Sequence, residues 1–370
     1  MDDYLASLWH YDLEKPALGM RPKEDLEKLF YTQDFPFVKG AYQAGELCYM
    51  ANFSERLILG FRKQMENMEE KELSEAKQFL EVLENRRRLV MQDLAVWVNR
   101  LDTVFYYKSL TTHKPFVDFT GLTYCFTDAK AMEKAQESMK DRKEDRFVLE
   151  SLPKEDYAEL LYKNGMDKVL FNEGGILFHA DRIELFARPY ENDSEQAKTN
   201  PAYMTQENRH LRLLILMFLE TQALYEKKEE GEDKKHLQKA LQNLEAQMAP
   251  YFMQAQCFFK VQKAADDKVN FFVLTDSTHR INALAAYNVL PDEALTEDQG
   301  GYMYQKMPFF GVAHSSLDDG QNRLDGMVMD PGDLDFFLKK DWLRRLDNFA
   351  KYVVQKVQEE ENKKGKEKDK

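Results

Sequence analysis

The string "FFGVAHSSLDDGQNRLDG", residues 309–326, gathers His314, Ser315, Asp318, Asp319 and Asp325 within eighteen residues. His279 lies a little upstream. Imidazole nitrogens and carboxylate oxygens are ordinary metal ligands, and a histidine beside a carboxylate is an ordinary acid/base pair. The spacing fits no established ligand template, however. Asp-Asp-Gly and Asp-Gly are turn-forming strings, so the competing expectation for 309–326 is a polar loop between strands.

Two further strings, "YCFTDAKAM" (124–132) and "FVLTDSTHR" (272–280), read alike. Each runs a short apolar strand into Thr-Asp, at Thr127-Asp128 and Thr275-Asp276, and then into a helix-like stretch. A helix N-terminus offers unpaired N–H groups and a partial positive charge. At the end of a strand in an α/β sheet, such a place can hold an anion. The plainer expectation is that Thr or Asp caps its own helix with those same N–H groups. Asn172-Glu173-Gly174-Gly175 and Asp330-Pro331-Gly332-Asp333 carry the same pair of readings, as tight glycine turns or as a ligand-facing edge. The residues that could face a ligand are therefore Thr127, Asp128, Asn172, Thr275, Asp276, His279, His314, Asp318 and Asp330. His179, in the alternating "ILFHADRIEL", reads as a strand histidine. Cys125 and Cys257 fall in apolar strand contexts without the adjacent cation or helix start that activates a thiol. The chain has no Gly-x-Ser-x-Gly elbow, no phosphate-cradling glycine loop and no Cys-x-x-Cys. No catalytic residue, metal ligand or cofactor is assigned.

Composition narrows the classes. At 370 residues the chain exceeds one usual hydrophobic core, which predicts two domains. With 43% hydrophobic residues it can bury substantial cores. A net charge of −13 argues against broad nucleic-acid binding, which rests on a cationic surface. The start, "MDDYLASLWHYDLEKP", has no signal-peptide pattern, and the longest apolar run, "LLILMFL", is far short of the ~20 residues of a membrane span. A cytoplasmic protein with reduced cysteines is expected.

Periodicity places the elements. Leu73, Ala76, Leu80, Leu83, Val90, Leu94, Trp97 and Leu101 step by threes and fours, the stripe of one long helix. Arg87 interrupts it and is expected to be paired or partly exposed. "VFYYKSL", "LTYCF", "RFVLESL" and "DKVLFNE" read as strands, and "PKEDYAELLYKNG" as a helix. After the polar segment 189–201, apolar stripes at Leu211, Leu214, Phe218, Leu224 and at Leu237, Leu241, Leu244, Met248 predict a second helical pair. "AQCFFKVQ" and "NFFVLTD" follow as strands, and Trp342, Leu346, Phe349, Val353 and Val357 predict a last helix.

The halves run in parallel. "FYYKS" aligns with "CFFKV", "YCFTD" with "FVLTD", and "DKVLFNEGG" with "DGMVMDPGD". Ordered matches, each set preceded by a helical pair, favour a tandem duplication. Phe126-Thr127-Asp128 followed by Val169 to Gly174 resembles the N-terminal domain of the SseB family, the bacterial enhanced-serine-sensitivity family. Leu274-Thr275-Asp276 and Met327 to Gly332 would then occupy the place of that family's second α/β domain. The family's usual Asn-Pro-Gly is split here, with Asn172 but no proline in the first copy and Asp330-Pro331-Gly332 in the second. The resemblance implies a fold more than a mechanism.

The expected architecture is α/β (α+β), two related modules each preceded by a helical hairpin. The boundaries are an irregular or helical segment 1–53, a hairpin 54–102, a first module 103–190, a linker 191–204, a hairpin 205–250, a second module 251–340, a helix 341–358 and a disordered tail 359–370. The expected function is non-catalytic binding or regulation, with a protein partner or a small metabolite and without nucleic acid or membrane. The chain would be a monomer with a pseudo-twofold or a homodimer. The alternative is an enzyme using the 309–326 loop and the Thr-Asp turns.

Overall fold

The computed structural model describes residues 20–127, 129, 133, 137, 146–173, 176–186, 203–263, 269–276, 278, 280–291, 294, 301–317 and 324–368, with only the backbone at 71, 172–173, 176–179, 354 and 357–368. The fold class is mixed α/β. The chain divides into two compact units, Met1–Arg188 and Pro189–Lys370.

In the first unit, α1 (Lys23–Tyr31) and α2 (Ala44–Met65) precede the long α3 (Glu70–Val98). A capping box starts α2: the Gln43 side chain accepts from the Glu46 N–H, and the Gln43 N–H donates to Glu46 Oε2 at 2.9 Å. The α3 stripe buries Ala76, Leu83, Val90, Leu94 and Val98. Arg87, on its edge, is held by Glu55 at 2.8 Å and Glu184 at 2.7 Å. The sheet that follows contains β1 (Thr103–Ser109), β2 (Leu122–Phe126), β3 (Phe147–Pro153), β4 (Lys168–Glu173) and β5 (Ile176–Asp181) in the order β3-β1-β2-β4-β5. Only β2 and β4 run parallel. Helix α4 (Lys154–Lys163) leads from β3 towards β4, and α5 (Arg182–Phe186) follows β5 directly.

In the second unit, α6 (Gln206–Lys227) is capped by Thr205, whose Oγ1 accepts from the Asn208 N–H at 3.2 Å. It pairs with α7 (Glu232–Gln254). Then come β6 (Gln256–Lys263), β7 (Val269–Phe271), β8 (Val273–Asp276), β9 (Ile281–Ala286), β10 (Met303–Pro308), α8 (Phe309–Leu317), β11 (Gly326–Met329), β12 (Phe336–Lys339) and α9 (Lys340–Lys368). Strands β10-β6-β7 form one ladder and β12-β11-β9-β8 another. A bridge between Phe258 and Tyr287 links them.

Followed through that bridge, the pairings of the second unit repeat those of the first residue by residue. Thr103 lies opposite Pro153, and Gln256 opposite Pro308. Phe105 lies opposite Phe126, and Phe258 opposite Tyr287. In the parallel pairs, Thr123 meets Val169 and Leu284 meets Met327. Lys168 faces Asp181 as Gly326 faces Lys339. The Lys154 N–H bonds the Asp102 carbonyl, and the Phe309 N–H bonds that of Ala255. Thus α4 and α8 start at corresponding points.

Four sequence expectations are corrected. "NFFVLTD" is not one strand: the ladder changes partner at Phe272, so Val269–Phe271 pairs with β6 and Val273–Asp276 with β9. Thr275-Asp276 does not lead into a helix either, because β8 turns back into β9. Asp276 Oδ1 accepts from the Thr278 N–H at 2.8 Å, an Asx turn that uses the carboxylate to start a hairpin. Its position matches the 118–121 turn of the first unit, where Asp118 Oδ1 accepts from the Thr120 N–H at 2.8 Å. Residues 309–317 are helical instead of looped, since Phe309, Val312 and Ala313 bury one helical face. Finally, α9 continues to Lys368 through the expected tail, whose Glu and Lys residues favour helix.

Candidate functional site

The carboxyl ends of the parallel strands are where ligands gather in open α/β sheets. In the second unit that edge is closed. Arg212, on α6 and only 3% exposed, donates to Asp330 Oδ2 at 2.6 Å and also to Asp333 Oδ2. Asn288 adds its backbone N–H to Asp330 Oδ1 and its Nδ2 to Oδ2, each at 2.7 Å. Burial opposes the guanidinium's charge, but Asp330 and Asp333 outweigh it and hold the group above its ordinary value. Asp330, at φ +47°, also accepts the N–H groups of Asp333, Leu334 and Asp335 on its carbonyl. Asp330 therefore serves as a clamp that joins α6 to the ends of β9 and β11.

The other polar candidates separate. His314 Nδ1 lies 2.7 Å from Asp347 Oδ1, on α9, and Lys351 contacts the second oxygen of the same carboxylate at 2.7 Å. Thr275 donates from Oγ1 to Asn282 Oδ1 at 3.0 Å. Thr127 follows β2 directly. Asp128, His279 and Asp318 lie outside the described residues, and Asn172 is described by its backbone alone. Among the described residues, no three His, Cys, Asp or Glu side chains form a group that could hold a metal. Cys48, Cys125 and Cys257 are buried and outside any disulfide. Burial pushes both the Cys125 and Cys257 thiols well above their ordinary range, which keeps them in the unreactive form.

The His314–Asp347 contact gives a pH prediction. The hydrogen bond from Lys351, and then that from His314, hold the Asp347 carboxyl below its ordinary value. A carboxyl depressed in the folded chain stabilises it above the unfolded value, about 3.9. That contribution is lost as pH falls through the folded value. Asp347→Asn should therefore show a flatter dependence of stability on pH below about pH 4. Equal slopes for parent and variant in acid unfolding would contradict the assignment.

At the opposite ends of β9 and β11 the second unit opens into a cleft of about 690 Å³. Phe271, Val273, Leu284, Val312 and Leu324 give it apolar walls. Arg280, Asn282, Ser315, Ser316 and Asp325 supply its polar groups. Apolar walls with a few convergent polar groups are the ordinary make-up of a small-molecule site. Asn282 and Asp325 fix each other: the Asp325 N–H donates to the Asn282 carbonyl, and the Asn282 N–H donates to Asp325 Oδ2, both at 2.8 Å. The serine hydroxyls are turned back onto their own helix, Ser315 to the Gly311 carbonyl at 2.9 Å and Ser316 to that of Ala313 at 2.7 Å. Their lone pairs remain available.

Arg280 stands out. It is exposed, sits at φ +54° in the β8–β9 turn, and forms no ion pair among the described residues. A side chain without a local hydrogen-bonding group is costly at positive φ, and such positions concentrate at functional sites. Arg280→Gly should relieve that strain and stabilise the second unit by about 0.5–1 kcal/mol. A loss of stability in chemical unfolding would mean that the guanidinium is structural instead.

Sequence reasoning had Ser315 and Asp325 in view but missed Arg280, Asn282 and the apolar walls. The turn string "DSTHR" was the available signal, since it places a cation where glycine or asparagine is the comfortable choice. No helix among the described residues is long and apolar enough to cross a membrane. The chain matches none of the protein-family models, curated proteins or solved structures with which it was compared.

Proposed function

We propose that the chain is a cytoplasmic, non-catalytic binding or regulatory protein of the SseB-like type, built by tandem duplication of one α/β module. It recognises a small metabolite in the cleft between β8, β9 and α8. The repeated registers, from Thr103–Pro153 and Gln256–Pro308 through Lys168–Asp181 and Gly326–Lys339, support the duplication. The single observation that carries the binding reading is the cleft, about 690 Å³, with Arg280 and Asp325 on apolar walls. Its volume suits a metabolite more than a protein segment, which makes the small molecule the favoured partner.

The test is native mass spectrometry of the chain isolated gently from its own cells. The expected result is an extra small mass that is retained by the parent and lost on Ser316→Leu, a substitution that places an apolar branch in the cleft. A bare chain, or a mass held equally by Ser316→Leu, would overturn the reading.

A further inference from the structure

We infer that the cleft takes a free aromatic amino acid, an inference that rests on the binding reading above. The first unit fills the same place with its own side chains. Helices α4 and α8 start from corresponding hydrogen bonds, Lys154 to Asp102 and Phe309 to Ala255. Counting from those starts, Val312 stands where the first unit has Tyr157, and Ser315 and Ser316 stand where it has Leu160 and Leu161.

Tyr157 is fully buried and its ring packs on Tyr106 at 5.2 Å and on Phe186 at 5.9 Å. Leu161 is fully buried as well. The second unit thus replaces a phenol and two leucines with a valine and two serines, and the cleft lies over those three smaller side chains. The cleft is open to solvent, with Val273, Arg280, Ser315 and Asp325 exposed along it, so a ligand can enter. The first unit shows what fits between the sheet and this helix: the side chain of a tyrosine.

The charged groups at the cleft complete the ligand. Arg280, without an ion pair among the described residues, offers the planar donor fork that suits a carboxylate. Asp325 offers a carboxylate to an ammonium group, with one oxygen already oriented by the Asn282 N–H. A lone anionic ligand would be attracted by Arg280 and repelled by Asp325. A lone cation would meet the reverse. An α-amino acid carries both charges on adjacent groups and satisfies both side chains, while its aromatic ring fills the apolar space. Asn282 lies two residues from Arg280 and is bonded to Asp325, so one short segment of backbone ties the two charged positions together.

Isothermal titration of the full chain with L-phenylalanine tests the inference, beside 3-phenylpropionate, phenethylamine and L-leucine. The first two controls each lack one charged group, and the last lacks the ring. The expected result is saturable binding of L-phenylalanine, with each control weaker by about tenfold or more, the scale of one lost charge-assisted contact. Asp325→Asn should bring L-phenylalanine down to the affinity of 3-phenylpropionate, and Arg280→Gly to that of phenethylamine. Val312→Tyr, which restores the side chain of the first unit, should abolish binding. L-leucine binding as tightly, and equally sensitive to Val312→Tyr, would overturn the aromatic assignment while leaving the cleft as a binding site. Binding that survives Val312→Tyr would overturn both. Failure of all four compounds to bind would overturn the amino-acid inference, with the native mass measurement then deciding the broader reading.

Discussion

Arg212→Ala is expected to destabilise the second unit by about 3–5 kcal/mol. The guanidinium is 3% exposed and its partner Asp330 4%, so truncation leaves a buried carboxylate with its cation gone. The Asn288 hydrogen bonds cannot neutralise that charge. The control is the double variant Arg212→Met with Asp330→Asn. Removing both charges avoids the stranded carboxylate, and the double variant should recover most of the stability. Because two units can unfold separately, the measurement needs a local reporter. Trp342, packed on Phe252 at 4.9 Å, reports the second unit when Trp9 and Trp97 are replaced by phenylalanine. A denaturant midpoint unchanged by Arg212→Ala would mean that the Arg212–Asp330 pair does not clamp the second unit.

The second large effect belongs to the first unit. Tyr157→Ala should cost about 3–5 kcal/mol, because a fully buried ring is removed and a cavity is left in its place. The aromatic neighbours Tyr106 and Phe186 would each lose a ring contact. The hydroxyl is a smaller matter. It donates to the Tyr124 carbonyl at 3.3 Å, so Tyr157→Phe should cost about 0.5–1.5 kcal/mol. Burial holds the phenol well above its ordinary ionisation range, so neither effect should vary with pH below pH 10 through this group. Trp97, in contact with Phe171 at 6.4 Å, is the matching reporter. A cost for Tyr157→Ala no larger than that of Tyr157→Phe would mean the ring is not filling the core.

Much of the fold was legible because it rests on local pattern. The stripe of α3, its exception at Arg87, and the strands β1 to β4 follow from periods of 3.6 and 2 that any window of sequence displays. Register was harder, since it is fixed by partners far along the chain. "YCFTD" and "FVLTD" match as strings of β-favouring residues. Yet Phe126 corresponds by its pairing to Tyr287, and Thr275-Asp276 closes the preceding strand, β8. "FFGVAHSS" was hidden for a different reason: its serines and the Asp-Asp-Gly after it read as turn chemistry, while three buried side chains make it a helix.

The candidate site was legible only in pieces. Ligand geometry in open α/β sheets points to the carboxyl ends of the strands, where Asp330 sits, and there the Arg212 clamp closes the edge. The cleft at the opposite ends depends on an absence of bulk at Val312, Ser315 and Ser316. Smallness becomes informative only when Tyr157, Leu160 and Leu161 are seen to occupy the matching positions. Arg280 adds a backbone angle that no composition reveals.

On the reading proposed above, the cleft is open volume reserved for a ligand. The most direct measurement is the denaturant midpoint of the second unit in Val312→Tyr without ligand, reported by Trp342. If the cleft is vacant space of tyrosine shape, the new ring fills it and stability rises by about 0.5–2 kcal/mol, as in other cavity-filling changes. A fall of about 1–3 kcal/mol, the mark of overpacking, would contradict the claim.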